Sequence, residues 1–388
     1  MLNPESVILN LVLNLIQYWF RIFRAGLFQH LTESIGYETL KRVQGDKEAA
    51  SSNASHNTGI AIYSPVTYNP VMKKRLAKAR LLVLSGITMV LFMVLTVTPA
   101  GAAVKAGFLY KLADFTGFIP YTTPRVVLDE TYDEVYVLFQ NTIRVFNQYG
   151  MEIYRFGDDL QVGRIHDLAV RPDGNIILLC YEEGKYRLVL CNYRGEQISE
   201  MSLRNLHEGF SGFSPVRFLY RNGNLYFASL PGFQVVVTDE EGNYKDGYDL
   251  AEIMEFTRKE LEDKGMVGFN VTKDGSILFT VPSLFKVYRI SPDRKATFFG
   301  RPGGPPGMFG VIAGVAADKM DNYLVADKLK SIVQIFDRNT QFISEFGYRT
   351  GAPGGLFSPD EVWVSSKDRV FVSQSRGMGI SVFLLTYD

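Results

Sequence analysis

From Pro124 to the C-terminus, short apolar runs separated by polar turns recur in one order six times. The fullest copy is Val325-Ala326-Asp327-Lys328-Leu329-Lys330-Ser331-Ile332-Val333-Gln334-Ile335-Phe336-Asp337, followed by Phe342 to Gly347. Each copy reads as an apolar strand, a polar turn, a Tyr/Val-rich strand, a second turn, an Ile-x-Val-Phe strand and a last strand closing on Phe-Gly. Four antiparallel strands repeated in this way form the blade of a β-propeller. Runs such as Ile176–Leu179, Leu225–Ala228 and Ile277–Val281 are apolar throughout rather than alternating. That pattern is expected where both faces of a sheet pack against neighbouring blades.

A Gly or Asp stands just before the central strand of every copy, at Asp133, Gly174, Gly223, Gly275, Asp321 and Asp368, giving spacings of 41, 49, 52, 46 and 47. Six such positions predict six blades. A tight hairpin needs positive φ or a side chain that bonds its own backbone. Pro172-Asp173-Gly174-Asn175, Arg221-Asn222-Gly223-Asn224 and Lys273-Asp274-Gly275-Ser276 all qualify. One helical pattern interrupts the repeats, Asp249 to Lys264, with Leu250, Ile253, Met254 and Leu261 on one face. It predicts an inserted helix packed on the ring or offered to a partner.

The last copy starts near Pro359, runs through Arg369–Gln374 and Ile380–Leu385, and stops at Asp388 without a fourth strand. Phe108 to Gly117 resembles the Phe-Gly closers Ile153–Gly157, Ala296–Gly300 and Ile343–Gly347. It is expected to complete the last blade from the N-terminal side, burying Leu109, Leu112 and Phe115. The all-β ring of six four-stranded blades would then have no open edge.

The fifth copy carries Gly304-Pro305-Pro306-Gly307-Met308-Phe309 before its inner strand, Ala317-Asp318 after it, then Val325-Ala326-Asp327 and Val333-Gln334-Ile335-Phe336-Asp337. The sixth repeats the lead-in as Gly354-Gly355-Leu356-Phe357-Ser358-Pro359. In these motifs the chain resembles the NHL-repeat six-bladed propellers, with the third and fourth copies matching loosely. Lys330 and Ser331 stand at that family's namesake Asn and His positions. The resemblance implies an exported, bacterial-type propeller from a group that includes lyases, lactonases, RNA binders and scaffolds. It further implies a multihaem cytochrome or cell-envelope protein as partner.

Ahead of the repeats, Met72-Lys73-Lys74-Arg75 opens a basic segment reaching Arg80, followed by the apolar run Leu81–Val97 and Pro99-Ala100-Gly101-Ala102-Ala103. Residues 72–102 therefore read as a secretory signal peptide cleaved after Ala102. The competing reading is a retained anchor, since the 17 residues from Leu81 to Val97 approach the length needed to span a bilayer. Residues 1–71 contain an apolar, amphipathic run from Val7 to Phe28 and a Ser/Asn-rich tail from Ala49 to Thr58. They read as an extension upstream of a start at Met72, or as an interfacial helix. The expected product is residues 103–388, in the periplasm or outside the cell.

From Ala103 onward the chain has 31 Lys+Arg and 36 Asp+Glu, so its net charge is 31 − 36 = −5, while the front segment carries 10 − 5 = +5. A mildly acidic domain without a basic stripe makes few phosphate contacts, so nucleic acid is not an expected partner. Both cysteines, Cys180 and Cys191, fall in one copy. With Glu182–Lys185 as the hairpin loop, Cys180 faces Arg187, four residues from Cys191 and roughly 13 Å along the strand. That exceeds disulfide reach, so two buried free thiols are expected.

The sequence contains no Cys-x-x-Cys-His, no zinc-spaced Cys pair, no Gly-x-Ser-x-Gly elbow and no phosphate loop. Only His166 and His207 lie in the repeats, too few for the His cluster of a zinc-dependent propeller lyase. The candidate binding site is the axial funnel where the inner strands begin: Arg125, His166, Asp167, Arg217, Asn270, Asp360 and Glu361. Carboxylates, an amide and a His around one axis suit a Ca²⁺ ion and a lactonase-like hydrolysis, as in the related gluconolactonase propellers. In the alternative, the inner-strand starts are solvated, and Arg125 and Arg217 pair with Asp167 and Glu361 and leave them unavailable to a metal. His207 reads as a surface loop residue. Phe210, Phe213, Phe233 and Tyr348 read as a loop interaction patch or as inter-blade core. Together these features favour a non-catalytic scaffold that binds a protein or ligand, with a divalent-metal-dependent lactonase or lyase as the other class.

Overall fold

The structure, a computed structural model, describes residues 104–159, 161–257 and 264–388. The signal segment and both readings of residues 1–71 lie outside the described residues. Among the described residues no helix is long and apolar enough to cross a membrane.

The chain enters through β1 (Val104–Lys111) and a short hairpin, β2 (Ala113–Asp114) and β3 (Gly117–Phe118). Blade one is β4 (Arg125–Asp129), β5 (Glu134–Phe139), β6 (Thr142–Phe146) and β7 (Glu152–Phe156). Blade two is β8 (Arg164–Val170), β9 (Ile176–Glu182), β10 (Lys185–Cys191) and β11 (Gln197–Met201). Blade three is β12 (Arg217–Arg221), β13 (Asn224–Ser229), β14 (Gln234–Thr238) and β15 (Tyr244–Asp249), followed by one helical turn, α1 (Leu250–Ile253). Blade four is β16 (Val267–Val271), β17 (Ile277–Val281), β18 (Lys286–Ile290) and β19 (Ala296–Phe299). Blade five is β20 (Ile312–Ala317), β21 (Tyr323–Asp327), β22 (Ile332–Phe336) and β23 (Phe342–Gly347). Blade six is β24 (Pro359–Val364), β25 (Arg369–Gln374) and β26 (Ile380–Tyr387), completed by β1. The inner strands β4, β8, β12, β16, β20 and β24 touch in succession, and β24 returns to β4.

Local turn chemistry sets this period. All six expected hairpin residues have positive φ: Asp133 at 59°, Gly174 at 83°, Gly223 at 72°, Gly275 at 84°, Asp321 at 62° and Asp368 at 62°. The apolar runs between them are buried on both faces, and the core lies between blades rather than at the axis. Ile143, Leu168 and Leu178 join blades one and two, and Leu179, Phe218 and Phe227 join blades two and three.

Ring closure occurs as expected, but with a different strand. β1 pairs with β26 from Val104 opposite Tyr387 to Lys111 opposite Ser381, so it begins before Phe108 and ends well short of Gly117. A bulge shifts the register between Phe108 and Tyr110 and turns Leu109 outward, 42% exposed. Past Leu112, which is buried, the chain leaves the sheet for the β2–β3 hairpin and leaves Phe115 95% exposed. Val104, Ala106 and Phe108 make the sheet contacts instead, with the Phe108 ring 5.7 Å from Phe383.

The helix expected from Asp249 to Lys264 is interrupted after its first turn among the described residues. Asp249 caps α1 by accepting from the Glu252 N–H, but Glu255 takes φ 57° and ends it. Phe256 N–H then bonds to Ala251 O, and the Phe256 ring packs on Phe233 and Tyr288. Leu261 lies outside the described residues. Phe210, Phe213 and Phe233 are buried core residues rather than an exposed patch, and only Tyr348 of that group faces solvent. Cys180 lies opposite Arg187. Both thiols are free and buried, and burial pushes them up to about 12 for Cys180 and about 11 for Cys191.

Val104, buried by β1, and the half-buried Phe108 together contribute about 2–5 kcal/mol, a sizeable fraction of a domain's net stability. A chain beginning at Val104 should therefore run as a monodisperse monomer with the full-length melting temperature, whereas one beginning at Leu112 should aggregate. Size-exclusion chromatography and thermal melts check this, and a stable monomer from the shorter chain would contradict the closure.

Candidate functional site

The starts of the six inner strands share one face of the ring. Four of the six carry a β-bulge there: β8 at His166, β16 between Val267 and Asn270, β20 between Ile312 and Val315, and β24 between Pro359 and Val362. A bulge re-aims the side chains beside it. The regular strands β4 and β12 supply guanidiniums, and the bulged β8 and β24 supply carboxylates.

These groups meet at the axis. Arg125 is buried and donates from Nε to Asp167 Oδ1 at 2.7 Å, from Nη1 to Glu361 Oε2 at 3.3 Å and from Nη2 to Phe218 O at 3.3 Å. Its guanidinium carbon stands 4.6 Å from the Trp363 ring centroid. Asp167 accepts from the Phe218 N–H at 2.8 Å and the Leu168 N–H at 3.0 Å. Glu361 accepts from Trp363 Nε1 at 3.2 Å. Arg217 approaches both acids, at 3.4 Å from Glu361 and 4.0 Å from Asp167. One guanidinium therefore links blades one, two, three and six. Burial alone would lower the Arg125 pKa, but Asp167 and Glu361 hold it above the ordinary guanidinium value. Burial would raise Glu361, but Arg125 and Arg217 bring it below the usual Glu range.

The remaining expected residues stand apart from this cluster. Asn270 is buried, donates to Val315 O at 3.2 Å and accepts from the Val271 N–H, fastening blade four to blade five. Asp360 pairs with Lys328 of blade five at 2.5 Å. His166 sits in its bulge with its ring 4.7 Å from that of Tyr181. Burial, Arg164 and Arg217 lower its pKa below the ordinary imidazole value, against an upward pull from Asp167. His207 is exposed and caps the Glu208–Phe210 turn. The strand starts are thus less solvated than expected, since Arg125, Asp167 and Asn270 are all buried.

Between blades four, five and six the inner strands approach backbone to backbone. A Cβ on Gly314 would lie 2.7 Å from Asp360 O and 2.8 Å from Glu361 Cα. A Cβ on Gly268, whose φ is +62°, would lie 2.6 Å from Ala313 O. Sequence reasoning named the charged residues but missed Trp363, Gly314 and the bulges, which depend on register.

The acids do not fit a Ca²⁺ site. Calcium takes six to eight oxygen ligands, and the Asp167 and Glu361 oxygens already accept from guanidinium, indole or backbone donors. Among the described residues no group of three or more His, Cys, Asp or Glu is placed to hold a metal. On the same face, between blades five and six, opens a cleft of about 290 Å³ lined by Val311, Lys328, Leu329, Arg349, Phe357 and Arg376, among others.

The fold recurs in solved structures. An auxiliary nutrient binding protein from Bacteroides ovatus aligns with a TM-score of 0.50 at 12% identity, over 74% of this chain and 77% of that chain. A catalytically inactive virginiamycin B lyase from Staphylococcus aureus, solved with quinupristin, aligns with a TM-score of 0.45 at 15% identity, over 70% and 83%. A protein described as a gluconolactonase aligns with a TM-score of 0.46 at 12%, over 76% and 95%. Likeness at such identities shows the propeller fold alone. The sequence matches no protein-family model and no curated protein.

Two outcomes are expected of the axis. Because the folded-state pKa of Glu361 lies below its unfolded value of 4.5, its contribution to stability is present above pH 4.5 and is lost as pH falls through the folded value. Denaturant titrations from pH 7 to 3 should show Glu361→Gln less stable by about 1–3 kcal/mol at pH 7, with the gap to wild type closing in acid. Gly314→Val should cost about 1–3 kcal/mol by overpacking, read as a lower melting temperature.

Proposed function

We propose that the chain is an exported, non-catalytic binding propeller that holds a protein partner in the cell envelope. One observation carries this reading: the axial acids and guanidiniums neutralise one another, leaving no free carboxylate pair for metal binding or acid–base work. A rigid ring with broad loop faces suits partner recognition. The NHL-like motifs, the signal-peptide pattern of residues 72–102 and the boundary at Ala103 support the export half of the reading. A multihaem cytochrome or envelope protein is the partner class that the family resemblance suggests. The competing class, a divalent-metal-dependent lactonase or lyase, requires the axis to release Asp167 and Glu361 from their present donors.

Affinity capture from the envelope fraction, with the tagged full chain as bait, should return one reproducible stoichiometric partner. The N-terminus of the recovered bait should read Ala103. The melting temperature should not change when chelator or Ca²⁺ is added. A melting temperature raised by several degrees in Ca²⁺ would overturn the reading in favour of the metal enzyme. Absence of any reproducible partner would count against the binding role.

A further inference from the structure

We propose that the cleft between blades five and six is the docking site for an acidic peptide segment bearing apolar side chains, contributed by a protein partner. The inference rests on the partner-binding reading and names its site and chemistry.

Three loops converge on the cleft. The β21–β22 turn brings Lys328 and Leu329, the β23–β24 connection brings Arg349 and Phe357, and the β25–β26 turn brings Arg376. Three cations face one another, and only Lys328 has a carboxylate partner, Asp360. Three positive charges against one negative leave 3 − 1 = 2 positive charges on a domain whose net charge is −5. Arg349 rests near the Phe357 ring, 5.9 Å from its centroid, and among the described residues neither Arg349 nor Arg376 makes an ion pair. Lys330, which points elsewhere, is engaged by Pro305 O and Met308 O.

The walls are held from behind by buried polar side chains. Asp327, fully buried, accepts from the Gly310, Val311 and Lys330 N–H groups. This ties the β21–β22 turn to the preceding loop. Gln374, also fully buried, accepts from the Phe357 N–H and donates to Ser381 Oγ. Lys328 N–H donates to Val311 O. Three residues of the lining or its rim adopt left-handed backbone without being glycine, Ser331 at φ 60°, Ser358 at 49° and Arg376 at 63°. Such conformations persist only where surrounding contacts enforce them. The recess is therefore preorganised, which limits the ordering cost of binding.

Size and composition select the occupant. At about 290 Å³ the cleft lies at or below the lower end of ligand pockets, about 300–1,000 Å³, and it is open to solvent. It can anchor a few side chains but not enclose a free ligand. Leu329 is 71% exposed, and Val311 in the same lining is also exposed. These apolar groups extend the surface beyond the recess, so a peptide has something to cover. Carboxylates would pair with Arg349 and Arg376, which favour forked contacts to acids.

The test is selection of a random displayed-peptide library on the immobilised full chain. The enriched peptides should carry net negative charge beside Leu or Phe. A fluorescein-labelled member should lose at least tenfold affinity for Arg349→Glu/Arg376→Glu, and should weaken with added salt. Leu329→Asp, at the lip, should also weaken it at least tenfold. Both variants change exposed side chains, and melting temperatures near wild type should confirm their folding. Enriched peptides that are neutral or basic, or acidic peptides that bind both variants as tightly as wild type, would overturn the cleft assignment while leaving partner binding intact. No enrichment at all would overturn both.

Discussion

A guanidinium buried at the axis of a β ring is costly unless its donors are satisfied, and much of the arrangement around the funnel follows from satisfying Arg125. Moving an unpaired charge out of water costs several kcal/mol even after relaxation. Arg125 therefore draws Asp167 from blade two, Glu361 from blade six and a carbonyl from blade three into contact. Trp363 covers its face. The same pairing engages both acids. Asp167 accepts from a guanidinium and two backbone N–H groups, and Glu361 from a guanidinium and an indole, so a metal would have to displace these donors.

The ring is built unequally around this hub. Blades six, one, two and three meet through charge, and blades four, five and six meet through close backbone approach at Gly268 and Gly314. Asn270 and the Lys328–Asp360 pair add polar fastenings on that side. The blade five–six junction belongs to the tightly packed half and is backed by Asp327 and Gln374. Its loops present cations to solvent from a rigid base. Neutral axis and cationic junction thus lie on one face, the first holding the ring together and the second the proposed docking site.

Much of the architecture was legible because it is written in local chemistry. A hairpin residue with positive φ leaves its mark as Gly or Asp, so Asp133, Gly174 and their four counterparts located every blade. The pairing of Arg125 and Arg217 with Asp167 and Glu361 was legible too, because opposite charges at equivalent strand starts must face one axis. Register was not legible. The bulges at Leu109 in β1 and at His166 in β8 shift a strand by one residue, and a one-residue shift exchanges buried and exposed faces. For that reason Leu109 proved exposed while Val104 and Phe108 carried the closure, and Phe115 is exposed because the chain leaves the sheet after Leu112 for the β2–β3 hairpin. Helical spacing likewise misled after Asp249, where Glu255 breaks the helix so that Phe256 can reach Phe233 and Tyr288. The cationic cleft was hidden because its residues are distant in sequence and isolated in their own loops.

The most direct measurement is a double-mutant cycle between Arg125→Met and Asp167→Leu, read by denaturant unfolding at pH 7. Removing Arg125 leaves buried Asp167 with Arg217 at 4.0 Å as its remaining cation, and removing Asp167 leaves buried Arg125 with Glu361 alone, so each should cost up to roughly 3–5 kcal/mol. Removing both should cost much less than the sum, a coupling of several kcal/mol. Additive single effects, or an Arg125→Met protein as stable as wild type, would show that the axial ion cluster is incidental to the ring and would contradict the account.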